Sequence, residues 1–436
     1  MKLAVFSNLW PPLFIGGYEI GASHVARELR RRGHEVLVIS AHEYHLIRPD
    51  YYETRRHEEA DRAQIVDAGL CLFGDMIPFM SKHRRVCFQG MLRSIQCRRR
   101  YRAALRAFQP DALLIFNPLG VLASVVDDFV AYSRQTGVPV HAYVSDHWLA
   151  GWPGGHPMPG VFHYYLHNTT RMMRLRGRIL RKLMYHFGLA PDHLPLIDHY
   201  FYCSQFIKEL SQSNSVGVAG HTVVHWGIPN MHRTATAAPD HFSRSAPLTL
   251  VYAGQIIDHK GLPVILRALA RCQARHELMV IGDDQVTYAS KCKEIAAHLG
   301  VLPQVRFVGL KKHAEMLQLI RDGGHLLIVP SLWEEPFSIV VLEGMGVGLP
   351  VIASNTGGTP EAIVVGENGF LFERGDHRQL AELIDRLEGD RPLCQRIGSQ
   401  ARNWVLQRFT MEKMVDQLLA HLPIPAQQAN RGSRAA

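Results

Sequence analysis

The sequence predicts an α/β protein made of two doubly wound parallel sheets. Three observations lead there. The chain has 436 residues, enough for two domains of ordinary size. Short apolar runs that read as strands alternate with amphipathic helix patterns along its length, which argues for parallel sheets. Residues 326–361 also repeat one unit, strand then turn then helix start, with both helix starts on the same side. That arrangement makes a crevice at the strand ends, where open α/β sheets bind ligands.

The elements follow in order. Leu3–Ser7 is a first strand. Ala22–Arg32 is a helix with Val25, Ala26 and Leu29 inward, closed by Gly33, and Val36–Ile39 is the second strand. Ala112–Phe116, Val140–Val144, His199–Cys203 and Thr222–Val224 read as later strands of the first sheet, and Pro153–Pro159 as an irregular loop. A patternless linker joins Pro229 to Pro247. The second sheet takes Leu248–Ala253, Glu277–Ile281, Gln304–Val308, Leu326–Pro330 and Val351–Ser354. The expected domains are therefore 1–230 and 231–410, then a helix at 411–422, with 423–436 a disordered tail.

Composition narrows the class. Hydrophobic residues make up 47% and charged residues 20%, ordinary for a folded soluble protein. No apolar run reaches membrane-spanning length, and the start of the chain lacks a signal-peptide core. Seven scattered cysteines show no zinc-like pairing and fit a reduced cytoplasm better than a disulfide framework. Charge is uneven. Residues 1–230 hold 26 Lys+Arg against 18 Asp+Glu, and the remainder 22 against 21. The excess gathers at Lys82–Arg106 and at Arg171–Lys182. In the second stretch Met172, Leu175, Ile179 and Leu183 share one helical side, opposite Arg171, Arg174, Arg178, Arg181 and Lys182. Three readings stay open for it: a core-packed helix with a solvated face, docking on an anionic membrane surface, or binding of an acidic acceptor. Nothing resembles a nucleic-acid-binding motif, so no nucleic-acid partner is expected.

Residues 329–361 carry the chemistry. Leu326–Pro330 is a buried strand and its exit. Glu335 precedes Pro336 and is biased away from helical geometry, while Pro336 suits a first helical position. Ile339, Val340, Leu342 and Met345 then supply a buried face. On this reading the amides of Phe337, Ser338 and Ile339 open the helix and make an anion site fit for a diphosphate. Glu335 and Glu343 are placed to accept from ribose or sugar hydroxyls. Each Glu alone would read as an ordinary surface acid, but the same grammar recurs at Val351–Ser354, Gly357-Gly358, Thr359 as N-cap and Pro360.

Glu335, Pro336, Phe337, Glu343, Gly357, Gly358 and Glu361 resemble the signature of family-4 glycosyltransferases, retaining enzymes of the GT-B fold; Ser338 stands where that pattern has glycine. Three further segments extend the resemblance over nearly the whole chain. Gly16-Gly17, before Tyr18-Glu19, follows the first strand and opens a helix, where glycines admit a phosphate to the backbone. Gly254-Gln255 through Lys260-Gly261 is similar to the family's Gly-Arg…Lys-Gly segment, with Gln255 in place of arginine. Ser145-Asp146-His147 falls where relatives carry His-Asp. Asp146 carries over directly, with Ser145 and His147 as alternatives for the histidine.

The resemblance implies a GT-B fold with the donor in the cleft between two domains and the final helix crossing back to the first. It implies transfer of a hexose-type unit from a nucleotide diphosphate sugar to an acceptor hydroxyl, with retention. Gly16, Gly17, Gln255, Lys260 and the Phe337–Ile339 start would hold the diphosphate, Glu335 the donor sugar and Glu343 the ribose. Glu335, Asp146 and Lys260 are the expected catalytic residues. No cofactor is expected. No metal is expected either, because no Asp-x-Asp occurs and His42-x-x-His45 lacks a third ligand. The expected location is the cytoplasm, including the inner membrane face. The alternatives are a GT-B sugar-nucleotide epimerase or phosphorylase, and a catalytically weak membrane-peripheral or complex-forming protein that keeps the cleft.

Overall fold

The computed structural model describes residues 1–11, 17–40, 64–67, 97, 99–117, 123–147, 197–213, 220–229, 248–282 and 288–422. Gly16, His42, His45, the loop 153–159, the basic stretch 171–182, most of 82–106, the linker 231–247 and the tail 423–436 lie outside the described residues. The chain divides into two compact units. One takes residues up to His225 and resumes at Met414; the other is Trp226–Lys413.

The first unit is built on a seven-stranded sheet in the order β3-β2-β1-β4-β5-β6-β7. Its strands are β1 (Lys2–Ser7), β2 (Glu35–Ser40), β3 (Gln64–Asp67), β4 (Ala112–Asn117), β5 (Val140–Val144), β6 (His199–Tyr202) and β7 (His221–Val223). All pair in parallel, with Lys2 opposite Glu35 and Leu113 opposite Val140. Residues of β1, β4, β5 and β6 are almost wholly buried, which explains why these strands read as continuous apolar runs rather than alternating ones. The first helix spans Gly17–Arg31, five residues earlier than the sequence suggested. Its opening turn, Gly-Tyr-Glu-Ile, lacks an apolar stripe to announce it. β3 was not expected at all; Gln-Ile-Val-Asp has only two apolar residues.

The second unit carries a six-stranded parallel sheet in the order β10-β9-β8-β11-β12-β13. These strands are β8 (Thr249–Ala253), β9 (Glu277–Ile281), β10 (Val305–Gly309), β11 (Leu326–Val329), β12 (Val351–Ser354) and β13 (Phe370–Phe372). In chain order this is 3-2-1-4-5-6, the doubly wound pattern that reverses direction between its first and fourth strands, here β8 and β11. β13 also escaped the sequence reading.

Two short segments finish this unit. Ile228 donates its amide to Phe409 O at 2.8 Å and accepts from Met411 N at 2.9 Å. Gly227 allows that approach, since a Cβ there would stand 2.4 Å from Thr410 O. The helix Met411–Leu419 begins in the second unit and, from Met414, belongs to the first. There Met414, Val415 and Leu418 are buried, and Asp416 accepts from Arg32 at 2.5 Å.

Candidate active site

The second unit gathers its functional side chains at the carboxyl ends of β8, β11 and β12, beside the switch point. After β8 the chain turns through Gly254 and Gln255 into a short 3-10 helix, Asp258–Lys260, which ends at Gly261. Gly261 has φ +73°, and a Cβ there would lie 1.9 Å from Pro330 O. Only glycine lets the β8 loop sit against the exit of β11 in that conformation. Leu332 N donating to His259 O at 2.8 Å locks the two loops together.

The contact brings Lys260 to Glu335. Lys260 Nζ donates to Glu335 Oε1 at 2.6 Å, and Ser331 Oγ donates to the same oxygen at 2.7 Å. Glu335 is buried, whereas the Lys260 side chain keeps 30% of its surface exposed. Burial alone would raise the Glu335 pKa. The charge and hydrogen bond of Lys260, with Ser331 and His259 helping, more than offset it, so the pKa lies below the ordinary carboxylate value. Glu335 is thus an ionised carboxylate in a site that excludes most water.

The third loop, after β12, closes on the backbone of Glu335. Gly358 N donates to Glu335 O at 2.8 Å. Gly357 has φ +58°, and a Cβ there would come 2.2 Å from Glu335 O. Both glycines of the Gly357-Gly358 pair therefore shape the position of Glu335 rather than merely terminating a strand.

The helix after β11 begins later than the sequence suggested. It spans Ile339–Gly346, with Ser338 as an extended N-cap (φ −84°, ψ 101°). Pro336 is consequently not its first residue, and the amides without an intrahelical partner are those of Ser338, Ile339, Val340 and Val341, so that of the three expected only Phe337 falls outside the helix start. Phe337 supplies the reason: its ring is buried and packs 5.9 Å from Phe409, which holds the chain extended past the proline. The buried face is also rotated, with Val341, Leu342 and Met345 fully inward while Ile339 and Val340 stay half-exposed. Thr359 opens a 3-10 turn whose N-cap is Gly358, so Thr359 is not the cap.

Glu343 sits in the second turn of this helix and is mostly buried; His313 Nε2 donates to its Oε1 at 2.5 Å. His313 was missed by the sequence reading. It begins a separate helix, His313–Gly323, thirty residues away, and no local pattern links it to Glu343. Gln255 is half-buried, and its carbonyl accepts from Tyr252 at 2.6 Å. The structure thus brings Lys260 and Glu335 together and places Gln255 on the same loop as Lys260.

In the first unit, β5 runs into Ser145-Asp146-His147. Asp146 Oδ1 accepts from His147 N at 2.7 Å, and the His147 ring meets Phe206 edge-on at 5.9 Å. Ser145 is buried, and its Oγ has no hydrogen-bond partner among the described residues. Gly17 opens the helix that follows β1. The next residue, Tyr18, was also missed as a site residue. Burial first, then the nearby carboxylates of Glu19 and Asp146, push its phenol well above the ordinary value. Asp146 and the start of the first helix are therefore neighbours within this unit.

Comparisons with known proteins agree with this geometry. The family model for glycosyl transferases group 1 matches residues 235–404, and that for a glycosyl transferase 4-like domain matches residues 16–210. The chain is 25% identical to a glycogen synthase of Mycobacterium tuberculosis, over 94% of this chain and 91% of that protein. Its fold is similar to that of Alr3699/HepE from Anabaena, solved in complex with UDP (TM-score 0.66, 18% identity, 97% of this chain and 99% of that one). It is also similar to sucrose-phosphate synthase from Thermosynechococcus elongatus (TM-score 0.68, 16% identity, the full length of both). With both halves of the chain matched and the strand-end site in place, the chain belongs to the glycosyl transferases group 1 family and is a glycosyltransferase of GT-B fold.

Proposed function

We propose that this enzyme transfers a hexose from a nucleoside diphosphate sugar to an acceptor hydroxyl, with retention of configuration and without a catalytic metal. The observation that carries the reading is the Lys260–Glu335 pair at the switch point of the second sheet, 2.6 Å apart. It joins a partly exposed cation to an ionised, buried carboxylate beside a helix start.

Each part has a task in that chemistry. The first-turn amides of the Ile339 helix and Lys260 bind the diphosphate and stabilise the charge that grows on it as the glycosidic bond breaks. Those groups supply the positive potential that a metal ion provides elsewhere. Glu335 takes donor-sugar hydroxyls through the carboxylate oxygens that Lys260 and Ser331 orient, and Glu343, held by His313, takes the nucleotide ribose. The leaving phosphate receives the acceptor proton on the same face, so Glu335 has no need to act as a covalent nucleophile. Asp146 serves the acceptor side. An anionic membrane surface as the place of work rests on the basic charge of residues 1–230 alone, and failure to bind anionic vesicles at low salt would remove it.

The test is direct. Nucleoside diphosphates should raise the melting temperature by mass action, about 2.7 kcal/mol at a hundredfold excess over Kd. UDP-glucose is the first donor to try, against a panel of bases and sugars. Transfer should persist in a chelator, and proton NMR of the product should show the donor's anomeric configuration. Turnover of nucleotide sugar with no glycosylated product would favour an epimerase. No nucleotide binding at all would favour a protein that has kept the fold without the reaction.

A further inference from the structure

At the amino end of the second sheet, opposite the end that carries Lys260 and Glu335, three side chains of metal-binding type converge. Cys272 lies in the turn after the helix Leu262–Leu269, where its amide donates to Ala268 O at 3.0 Å. His276 immediately precedes β9. Asp385 comes from the helix His377–Gly389, which packs on Leu262–Leu269. One potential ligand atom from each residue lies within 4.8 Å of the other two.

We propose that Cys272, His276 and Asp385 bind a divalent cation of zinc type that ties the helix His377–Gly389 to the turn before β9. His276 is the observation that asks for a ligand. Its side chain is fully buried, and neither ring nitrogen makes a hydrogen bond of good geometry. The nearest groups are Glu388 Oε2, 3.5 Å from Nδ1, and the backbone of Leu248. A buried imidazole left in that state costs free energy that a metal would recover.

The surroundings fit a metal in three further ways. Charge balances: a thiolate and the Asp385 carboxylate offset a divalent cation, while Glu388 is already matched by Arg391 at 2.6 Å. With the metal on Nε2, Glu388 Oε2, 3.5 Å from Nδ1, can take the remaining N–H, the usual outer partner of a metal-bound histidine. The frame is also fixed, because Gln273 N donates to Asp385 Oδ1 at 3.0 Å and Leu248 N to Glu388 Oε2 at 3.0 Å. A thiolate and an imidazole favour zinc over calcium or magnesium. Tetrahedral bonds of about 2.0–2.3 Å require the three atoms to draw in by roughly an ångström, within reach of side-chain rotation, and leave a fourth position for water. Binding expels the thiol proton; without the cation, burial and Asp385 hold that thiol up at about 12, and a bound cation reverses this local field.

The experiment uses the full chain stripped with a chelator and titrated with Zn²⁺ against a chromophoric competitor, and with Co²⁺ for its thiolate charge-transfer band. One equivalent should bind and raise the melting temperature. Cys272→Ser should abolish the Co²⁺ band, and it and Asp385→Asn should each weaken Zn²⁺ binding at least about tenfold. Both variants should still be stabilised by the nucleoside diphosphate that stabilises the wild type, which shows them folded. His276→Gln, in the core, is read only alongside these two. Substoichiometric binding, or equal Zn²⁺ affinity in the wild type and both folded variants, would mean an adventitious ion only and overturn the proposal.

Discussion

The two units place carboxylates at the ends of parallel strands, but in opposite electrostatic company. In the second unit Glu335 is buried against Lys260 and Ser331, and its pKa is lowered. In the first, Asp146 and Glu19 lie near the half-buried Tyr18, whose pKa is raised. The first arrangement pairs a cation with a carboxylate and leaves a helix start beside it, which suits a ligand that is both anionic and rich in hydroxyls. The second sets carboxylates around one phenolic donor, at the start of the helix that Gly17 opens. On the proposed reading the second unit serves the donor and Asp146 the acceptor, and mutating each side should separate those roles.

The largest effect should come from the shared oxygen of the second unit. Glu335→Gln keeps the shape but removes the charge that Lys260 and Ser331 are arranged around. Turnover should fall at least about 10²-fold, the scale of losing one positioned electrostatic group, while nucleotide still raises the melting temperature. Near wild-type transfer by the folded variant would dissolve the contrast between the two strand ends.

Lys260→Ala attacks the same pair from the cation. It leaves a buried carboxylate without its counter-charge, at a cost of about 1.5–3 kcal/mol, and should weaken nucleoside diphosphate binding as well. The pH dependence gives it a signature. Folded Glu335 titrates below its unfolded value near 4.5, so its contribution to stability is complete above that value and is lost as pH falls through the folded pKa. Wild type minus Lys260→Ala stability, measured by denaturant melts, should therefore be flat near neutrality and shrink in acid. A difference that grows toward low pH would contradict the pairing.

This pair also shows what the sequence could and could not reveal. Glu335, Gly357 and Gly358 stood out because each sits a few residues beyond a short apolar strand in a repeated strand–turn unit, whereas Lys260 stood out only through its resemblance to the family's Gly-Arg…Lys-Gly segment. The strength of the Lys260–Glu335 contact was not legible, since it depends on Gly261 admitting Pro330 from seventy residues away. The helix start was misplaced because Pro336 is a good local signal that the burial of Phe337 against Phe409 overrides. His313 was missed because nothing within a turn of it announces Glu343, thirty residues away, and Tyr18 because its neighbour Glu19 reads as an ordinary first-turn acid while Asp146 is distant in sequence. β3 and β13 escaped although β7, β11 and β12 are as short: Gln-Ile-Val-Asp has only two apolar residues, and Phe-Leu-Phe follows a turn-rich stretch with no helix pattern before it.

On the first unit, Asp146→Asn should lower turnover by about tenfold, or about 1.4 kcal/mol of transition-state stabilisation, and leave nucleotide-induced stabilisation intact. Comparing kcat with the nucleotide-induced melting shift separates the two units. If Asp146→Asn instead weakens nucleotide binding as much as Lys260→Ala does, both strand ends serve the donor and that division of roles fails.

The smallest effect should fall on Glu343. Its carboxylate is oriented by His313 at 2.5 Å and sits one turn beyond the amides that open the helix, so on the proposed reading it meets the ribose and not the transferred sugar. Binding made equally in the ground and transition states affects KM and leaves kcat alone. Glu343→Gln retains an acceptor oxygen and a donor, and should raise the donor KM severalfold with turnover within a factor of about two, since one lost hydrogen bond amounts to about 1 kcal/mol. His313→Gln should produce a milder version of the same change, because it loosens Glu343 without removing it. A fall in kcat with an unchanged KM in either variant would move Glu343 from the nucleotide to the reacting sugar, and would join it to Glu335 on the transition-state side of this unit.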